Sequence, residues 1–127
     1  MNTAIIEFGS NIEPESNILK AKDLIRNIFE VTKESGLLRT KPFGVTDQDD
    51  YINCAVMLVT EKTLEDIKKD LNLIEERLGR IREADKYAPR TIDLDIIVWN
   101  GEVIHKDFHE RDYVRINIGE IAPDLIP

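Results

Sequence analysis

Between Thr63 and Gly79 the apolar residues Leu64, Ile67, Leu71, Ile74 and Leu78 recur every three or four positions. That spacing puts them on one side of an α-helix. A stripe of this length is not stable alone in water and must be covered by another layer of structure. A second stripe follows Pro14, a residue suited to a first helical turn. It consists of Ile18, Ala21, Ile25, Ile28 and Phe29, with Leu24 beside them. The helix ends are marked as well. Thr63 with Asp66 three residues on resembles a capping box, and Gly79 is a stop signal. Strand-like runs surround the helices: Thr3–Phe8 halted by Gly9, Val31–Thr40 with an irregular middle at Ser35-Gly36, Tyr51–Thr60, and Ile92–Trp99. Asn100-Gly101 predicts a hairpin in which Glu102–Ile104 pairs back. Pro42, Gly44 and the run Thr46–Asp50 read as a polar loop.

The order strand, helix, strand, strand, helix, strand predicts an α+β fold of the ferredoxin-like split βαβ kind (βαββαβ), an antiparallel sheet with helices on one face. The 127 residues suit one domain, residues 1–127. No apolar run approaches the roughly 20 residues of a membrane helix, so no membrane partner is expected. The start, Met-Asn-Thr-Ala-Ile-Ile-Glu, has no basic flank and predicts no secretory signal. The single cysteine, Cys54, cannot form an internal disulfide or build a zinc site alone, so a reducing, cytoplasmic setting is expected. The net charge of −8 argues against nucleic-acid partners. An RNA-binding domain of the same fold would also need closely spaced aromatics on its sheet, which this sequence lacks. Charge is uneven, however. Arg77 to Arg90 carries +3 and the rest of the chain −11. A basic island in an acidic chain suits a small anionic ligand.

That island leads into Asp93-Leu-Asp95. Side chains alternate along a strand, so Asp93, Asp95 and Ile97 are expected on one face and Leu94, Ile96 and Val98 on the other. Two carboxylates roughly 6–7 Å apart on one face repel each other. A hard divalent cation with oxygen ligands, typically magnesium with phosphate, relieves that repulsion. Arg80, Arg82 and Arg90 precede the strand, and guanidinium groups fork onto phosphate oxygens. Metal ligands and phosphate clamps together are the parts of a phosphoryl-transfer site. The same residues would also serve as a solvated charged face beside a helix exit, so alone they leave both readings open.

The run Lys86-Tyr-Ala-Pro-Arg90-Thr-Ile-Asp93-Leu-Asp95-Ile-Ile97 resembles the signature of the 6-hydroxymethyl-7,8-dihydropterin pyrophosphokinase family. Further segments agree in order and spacing: Gly9-Ser10-Asn11, Arg39–Gly44 followed by Asp50–Asn53, Glu75 with Gly79–Arg82, His109–Val114 and Glu120–Leu125. The resemblance implies ATP- and magnesium-dependent transfer of pyrophosphate to the hydroxymethyl group of the pterin, with AMP released, as a step of folate biosynthesis. It implies two magnesium ions held by Asp93 and Asp95, and phosphate contacts and catalysis by Arg80, Arg82 and Arg90. It places the pterin between Tyr51 and Tyr113, against Asn53, Thr40 and the backbone near Phe43. Glu75, Arg111 and His105 fall on the ATP side. The C-terminal part is shortened relative to the family pattern around Val103–His109. Val114–Ile118 stands where the family has an apolar strand, with Arg115 and Asn117 at apolar and proline positions, and the third-loop aromatic is Tyr87. A relative that binds a pterin or nucleotide without turnover, or with altered specificity, is the alternative these departures leave open.

Overall fold

The computed structural model describes residues 1–42, 47–80 and 91–126. In chain order its elements are β1 (Asn2–Ser10), α1 (Pro14–Ile28), β2 (Glu30–Glu34), β3 (Leu38–Thr40), β4 (Tyr51–Thr60), α2 (Leu64–Arg77), β5 (Asp93–Trp99), β6 (Glu102–Val103), α3 (Asp107–Glu110) and α4 (Asp112–Ile121), with a short 3₁₀ turn at Pro123–Leu125. The strands form one antiparallel sheet in the order β2-β4-β1-β5-β6, and β3 continues alongside β4. This is the expected α+β ferredoxin-like arrangement. Ser35 bridges the break between β2 and β3: its N–H donates to the Ala55 carbonyl (2.9 Å) and its hydroxyl accepts from the Ala55 N–H (2.8 Å).

Helices α1 and α2 cover one face. Ile18, Ala21, Ile25 and Phe29 from the first helical segment and Ile67, Leu71 and Ile74 from the second pack on Ile6, Phe8, Cys54, Val56, Leu58, Leu94 and Ile96. Ile28, expected in this stripe, is 42% exposed at the last residue of α1. Cys54 lies in this core, where burial pushes its thiol up to about 12. Thr63 caps α2 by accepting from the Asp66 N–H at 3.2 Å. At the other end Gly79, at φ +90°, lets its own N–H reach Glu76 O and the Arg80 N–H reach Glu75 O, both at 3.0 Å. This paired closure needs a left-handed residue at Gly79. It returns Arg80 to the helix end beside Glu75.

Two expectations require correction. Val98 does not point with Leu94 and Ile96. Ile5 pairs with Val98 while Ile6 pairs with Ile96, so β5 holds one extra residue there. This bulge interrupts the alternation. Ile97 and Val98 both enter a second core, and Trp99 packs against the first. The segment Val114–Ile118 is helical rather than a strand. Val114, Asn117, Ile118 and Ile121 are buried at spacings of three and four, while Ile116 is 53% exposed. A strand would bury residues at spacing two instead. Helix α4 lays Val114, Ile118 and Ile121, with Phe108 of α3, on Ile5, Ala55 and Ile97, so the opposite sheet face is covered too. No helix among the described residues is long and apolar enough to cross a membrane.

Candidate active site

The second face is apolar toward one end of the strands and polar toward the other. At the polar end a cleft of about 200 Å³ opens between β1, β4, β5, the residues after β3, and the start of α4. Tyr51, Asn53 and Thr40 line it from β4 and β3 on one side of β1, Asp93 and Asp95 from β5 on the other, and Tyr113 from the start of α4. Strand alternation explains why these residues share a face with Glu7 and Gly9 while Phe8, Cys54 and Leu94 turn into the first core.

On the aromatic side, Asn53 is 2% exposed, and its Nδ2 donates to Thr40 Oγ1 at 2.6 Å and to Leu38 O at 3.4 Å. Gly9, its pairing partner on β1, matters through its missing side chain. A Cβ there would stand 3.2 Å from Asn53 Oδ1 and 3.7 Å from Tyr51 Cδ1. Burial pushes the Tyr113 hydroxyl well above the usual phenol range, keeping it protonated at neutral pH. Tyr51 and Tyr113 line one cleft together with the Asn53 amide and the Thr40 hydroxyl, groups suited to a flat heteroaromatic ring with donor and acceptor edges.

On the acidic side the two aspartates differ. Arg80 Nη1 donates to Asp93 Oδ1 at 2.8 Å and to Glu75 Oε2 at 2.7 Å. Glu75 is 2% exposed, and the same Oε2 accepts the Leu94 N–H at 2.8 Å. Glu75 therefore lies outside the cleft's lining and acts on it through Arg80 and the start of β5. Asp95 turns instead toward His105, whose Nε2 is 3.7 Å from Asp95 Oδ1. Burial and then the charges of Asp93, Asp107 and Glu75 push the Asp95 carboxyl up to about 8, with Arg80 opposing them. A carboxyl disfavoured as an anion by its surroundings and neighbouring acids is relieved by a cation. The oxygen donors of Asp93 and Asp95 thus fit the divalent ion expected between them. The short link from β6 to α3 brings His105 beside Asp95, and Arg111 lines the cleft directly.

Arg82, Arg90 and Phe43 lie outside the described residues. Two further residues line the cleft, Asp107 and Glu7, and Asn117 is bonded to the second; none of the three was anticipated. Asp107 follows two residues after His105, and its N–H donates to His105 Nδ1 at 3.1 Å. Glu7 is 5% exposed and Asn117 fully buried, and Asn117 Nδ2 donates to Glu7 Oε2 at 2.7 Å. Glu7 Oε1 and Asn117 Oδ1 have no hydrogen-bond partner among the described residues. Each buried, bare acceptor costs about 1–3 kcal/mol. Burial, opposed by the Asn117 bond, pushes the Glu7 carboxyl well up, and Asp95 and Asp107 add to the rise. The available signal was an acid inside the otherwise apolar run Ala4-Ile-Ile-Glu-Phe8.

Comparison with known proteins shows the family. The family model described as 7,8-dihydro-6-hydroxymethylpterin-pyrophosphokinase (HPPK) matches residues 5–123. The chain is similar to proteins named 2-amino-4-hydroxy-6-hydroxymethyldihydropteridine pyrophosphokinase from three bacteria. It is 36% identical to that of Haemophilus influenzae, over 99% of this chain and 85% of the relative. It is 35% identical to that of Bacillus subtilis, over 98% and 80%. It is 33% identical to that of Methylorubrum extorquens, over 99% and 86%. Since the match runs from within β1 through α4, and the paired carboxylates and the aromatic wall of the cleft both fall inside it, the chain belongs to the HPPK family.

Proposed function

We infer that this chain transfers the β,γ-pyrophosphoryl group of ATP to the hydroxymethyl oxygen of 6-hydroxymethyl-7,8-dihydropterin and releases AMP, a step of folate biosynthesis. The observation that carries this reading is one cleft lined both by Tyr51, Asn53 and Tyr113 and by Asp93 and Asp95, in a member of this family. The first set suits a pterin ring and the second a metal-bound polyphosphate, so the hydroxyl and the phosphorus it attacks meet between them.

In this reading the ring lies between Tyr51 and Tyr113, and Asn53 and Thr40 meet its polar edge, with the backbone near Phe43 completing the contact. Asp93 and Asp95 hold two magnesium ions. Bound there, magnesium neutralises phosphate charge and makes the β-phosphorus more open to attack. Arg80, already at Asp93 and fixed by Glu75, stands with Arg82 and Arg90 to stabilise charge that develops on the transferring group. His105 and Arg111 contribute to the nucleotide side. The hydroxyl oxygen loses its proton to solvent and forms a bond to the β-phosphorus while the bond from that phosphorus to the α–β bridging oxygen breaks, and AMP leaves with the electron pair. Alignment of the two substrates supplies much of the rate, as no nucleophilic side chain takes part. The partners in this reading are small molecules, with no nucleic acid and no membrane, and the setting is the cytoplasm.

The test is direct. Purified protein incubated with ATP, magnesium and 6-hydroxymethyl-7,8-dihydropterin should release AMP and the pterin diphosphate in equal amounts. Saturable pterin binding without AMP would instead establish a non-catalytic relative.

A further inference from the structure

Two features of the cleft go beyond the reaction described above. The first is a cluster of cation donors beyond Asp93. Asp95, His105 and Asp107 each offer a ligand atom, and these atoms all lie within 4.8 Å of one another. His105 Nε2 is 3.7 Å from Asp95 Oδ1, and His105 Nδ1 is 3.8 Å from Asp107 Oδ2. Ligands bound to one first-row divalent ion at about 2.0–2.2 Å stand roughly 3–4 Å apart, so little movement is needed for Nε2 and Asp95 to share an ion. Ligation through Nε2 places the ring proton on Nδ1, so Nδ1 exchanges the Asp107 N–H it accepts at 3.1 Å for donation to the Asp107 carboxylate, 3.8 Å away, the kind of bond that holds a metal-bound histidine in place. The second feature is Glu7. It is 5% exposed, is the pairing partner of Asp95 on the adjacent strand, and lines the same cleft as Asp95 and Asp107. Its Oε1 and the Asn117 Oδ1 beside it are buried acceptors with no partner among the described residues. A water held on an ion at Asp95 has the protons that two such acceptors lack.

We propose that Asp95, His105 and Asp107 form a site for a first-row transition-metal cation such as Mn²⁺ in the nucleotide-free protein, with Glu7 and Asn117 behind it. The proposal rests on the reading of Asp95 as a cation ligand. It adds a nitrogen donor, a carboxylate from α3, and independence from Asp93 and from ATP. Arg80 engages Asp93, whereas Asp95 stands with His105 and Asp107. An imidazole among carboxylates shifts preference from magnesium toward manganese and the later metals.

The experiment titrates the nucleotide-free protein with Mn²⁺ alone and follows the free-ion EPR signal. Electron spin-echo modulation on the bound ion then reports directly coupled nitrogen. The expected result is one bound Mn²⁺ per chain, displaced by Zn²⁺, with a ¹⁴N coupling in the unmutated protein. His105→Gln should abolish that coupling. His105→Gln and Asp107→Asn should each weaken Mn²⁺ at least about tenfold, and Glu7→Gln by about tenfold, the scale of supporting-shell effects. Asp93→Asn should retain the nucleotide-free ion. No bound ion at millimolar Mn²⁺, or a bound ion without nitrogen coupling, would overturn the proposal. A parallel titration with ATP present separates the two readings. If Asp95→Asn loses Mn²⁺ with ATP while the unmutated protein binds none without it, the inference fails and the role of Asp95 stands. If Asp95→Asn retains Mn²⁺ in both conditions, the role of Asp95 itself fails.

Discussion

On one face of the sheet β1, β4 and β5 turn Ile6 and Phe8, Cys54 and Val56, and Leu94 and Ile96 toward α1 and α2. On the other face the same strands turn Glu7, Asn53, and Asp93 and Asp95 toward a cleft. The first face is a continuous apolar core. The second has a smaller core, made with α4, that gives way to charge at the ends of the strands. Alternation at period two lets neighbouring residues of one strand serve opposite ends. Burial on the first face stabilises the molecule enough for the second to hold several carboxylates close together, an arrangement that is unfavourable until a cation arrives.

Arg80 is where the two faces meet, since one guanidinium nitrogen serves both Glu75 of α2 and Asp93 of the cleft. Arg80→Ala should therefore break the separation. It leaves a 2% exposed carboxylate without its cation, which costs about 3–5 kcal/mol, and it should lower AMP release at least about a hundredfold. Denaturant unfolding and turnover, measured on the same protein, check both. Leu58→Ala sharpens the comparison from the apolar side. It should cost about 2–5 kcal/mol and leave turnover per folded molecule unchanged, which a melt beside an active-fraction titration reads.

On the polar side, Tyr113→Ala should weaken pterin binding about tenfold, since one aromatic face is worth about 0.5–1.5 kcal/mol beyond its area. Calorimetric titration with the pterin measures it, and equal affinity would remove Tyr113 from the ring's contacts. A smaller effect concerns pH. The Asp95 carboxyl is raised from 3.8 to about 8, and Glu7 is raised as well. The native state therefore binds more protons than the unfolded chain, and the stability this gives is present below the ordinary carboxylate range and lost as pH rises through about 8. Without divalent cations the melting temperature should fall by several degrees between pH 5 and pH 9, and added magnesium should restore it at the alkaline end. A melting temperature that is flat across this range, with and without magnesium, would contradict the crowding of carboxylates.

Much of this division was legible in the sequence. The helical stripes of α1 and α2, the stop at Gly79, the Asn100-Gly101 hairpin and the shared face of Asp93 and Asp95 all follow from local spacing. What escaped depends on contacts distant in the chain. Nothing near Ile97 signals the bulge that moves Val98 to the second core, because the extra residue shows only against β1. Asn117 breaks an apolar pattern until Glu7, 110 residues away, is placed opposite it. The family pattern implies a strand at Val114–Ile118, and only packing of Val114, Ile118 and Ile121 on the distant residues Ile5, Ala55 and Ile97 shows the helical set.

The most direct test of the account is Asp95→Asn, with AMP release and melting temperature measured on one preparation. The account predicts that turnover falls below detection while the metal-free protein melts no lower than the unmutated chain, and higher at pH 9. Turnover at the original rate, or a lower melt caused by losing this one charge, would contradict the assignment of Asp95 to chemistry rather than to the fold.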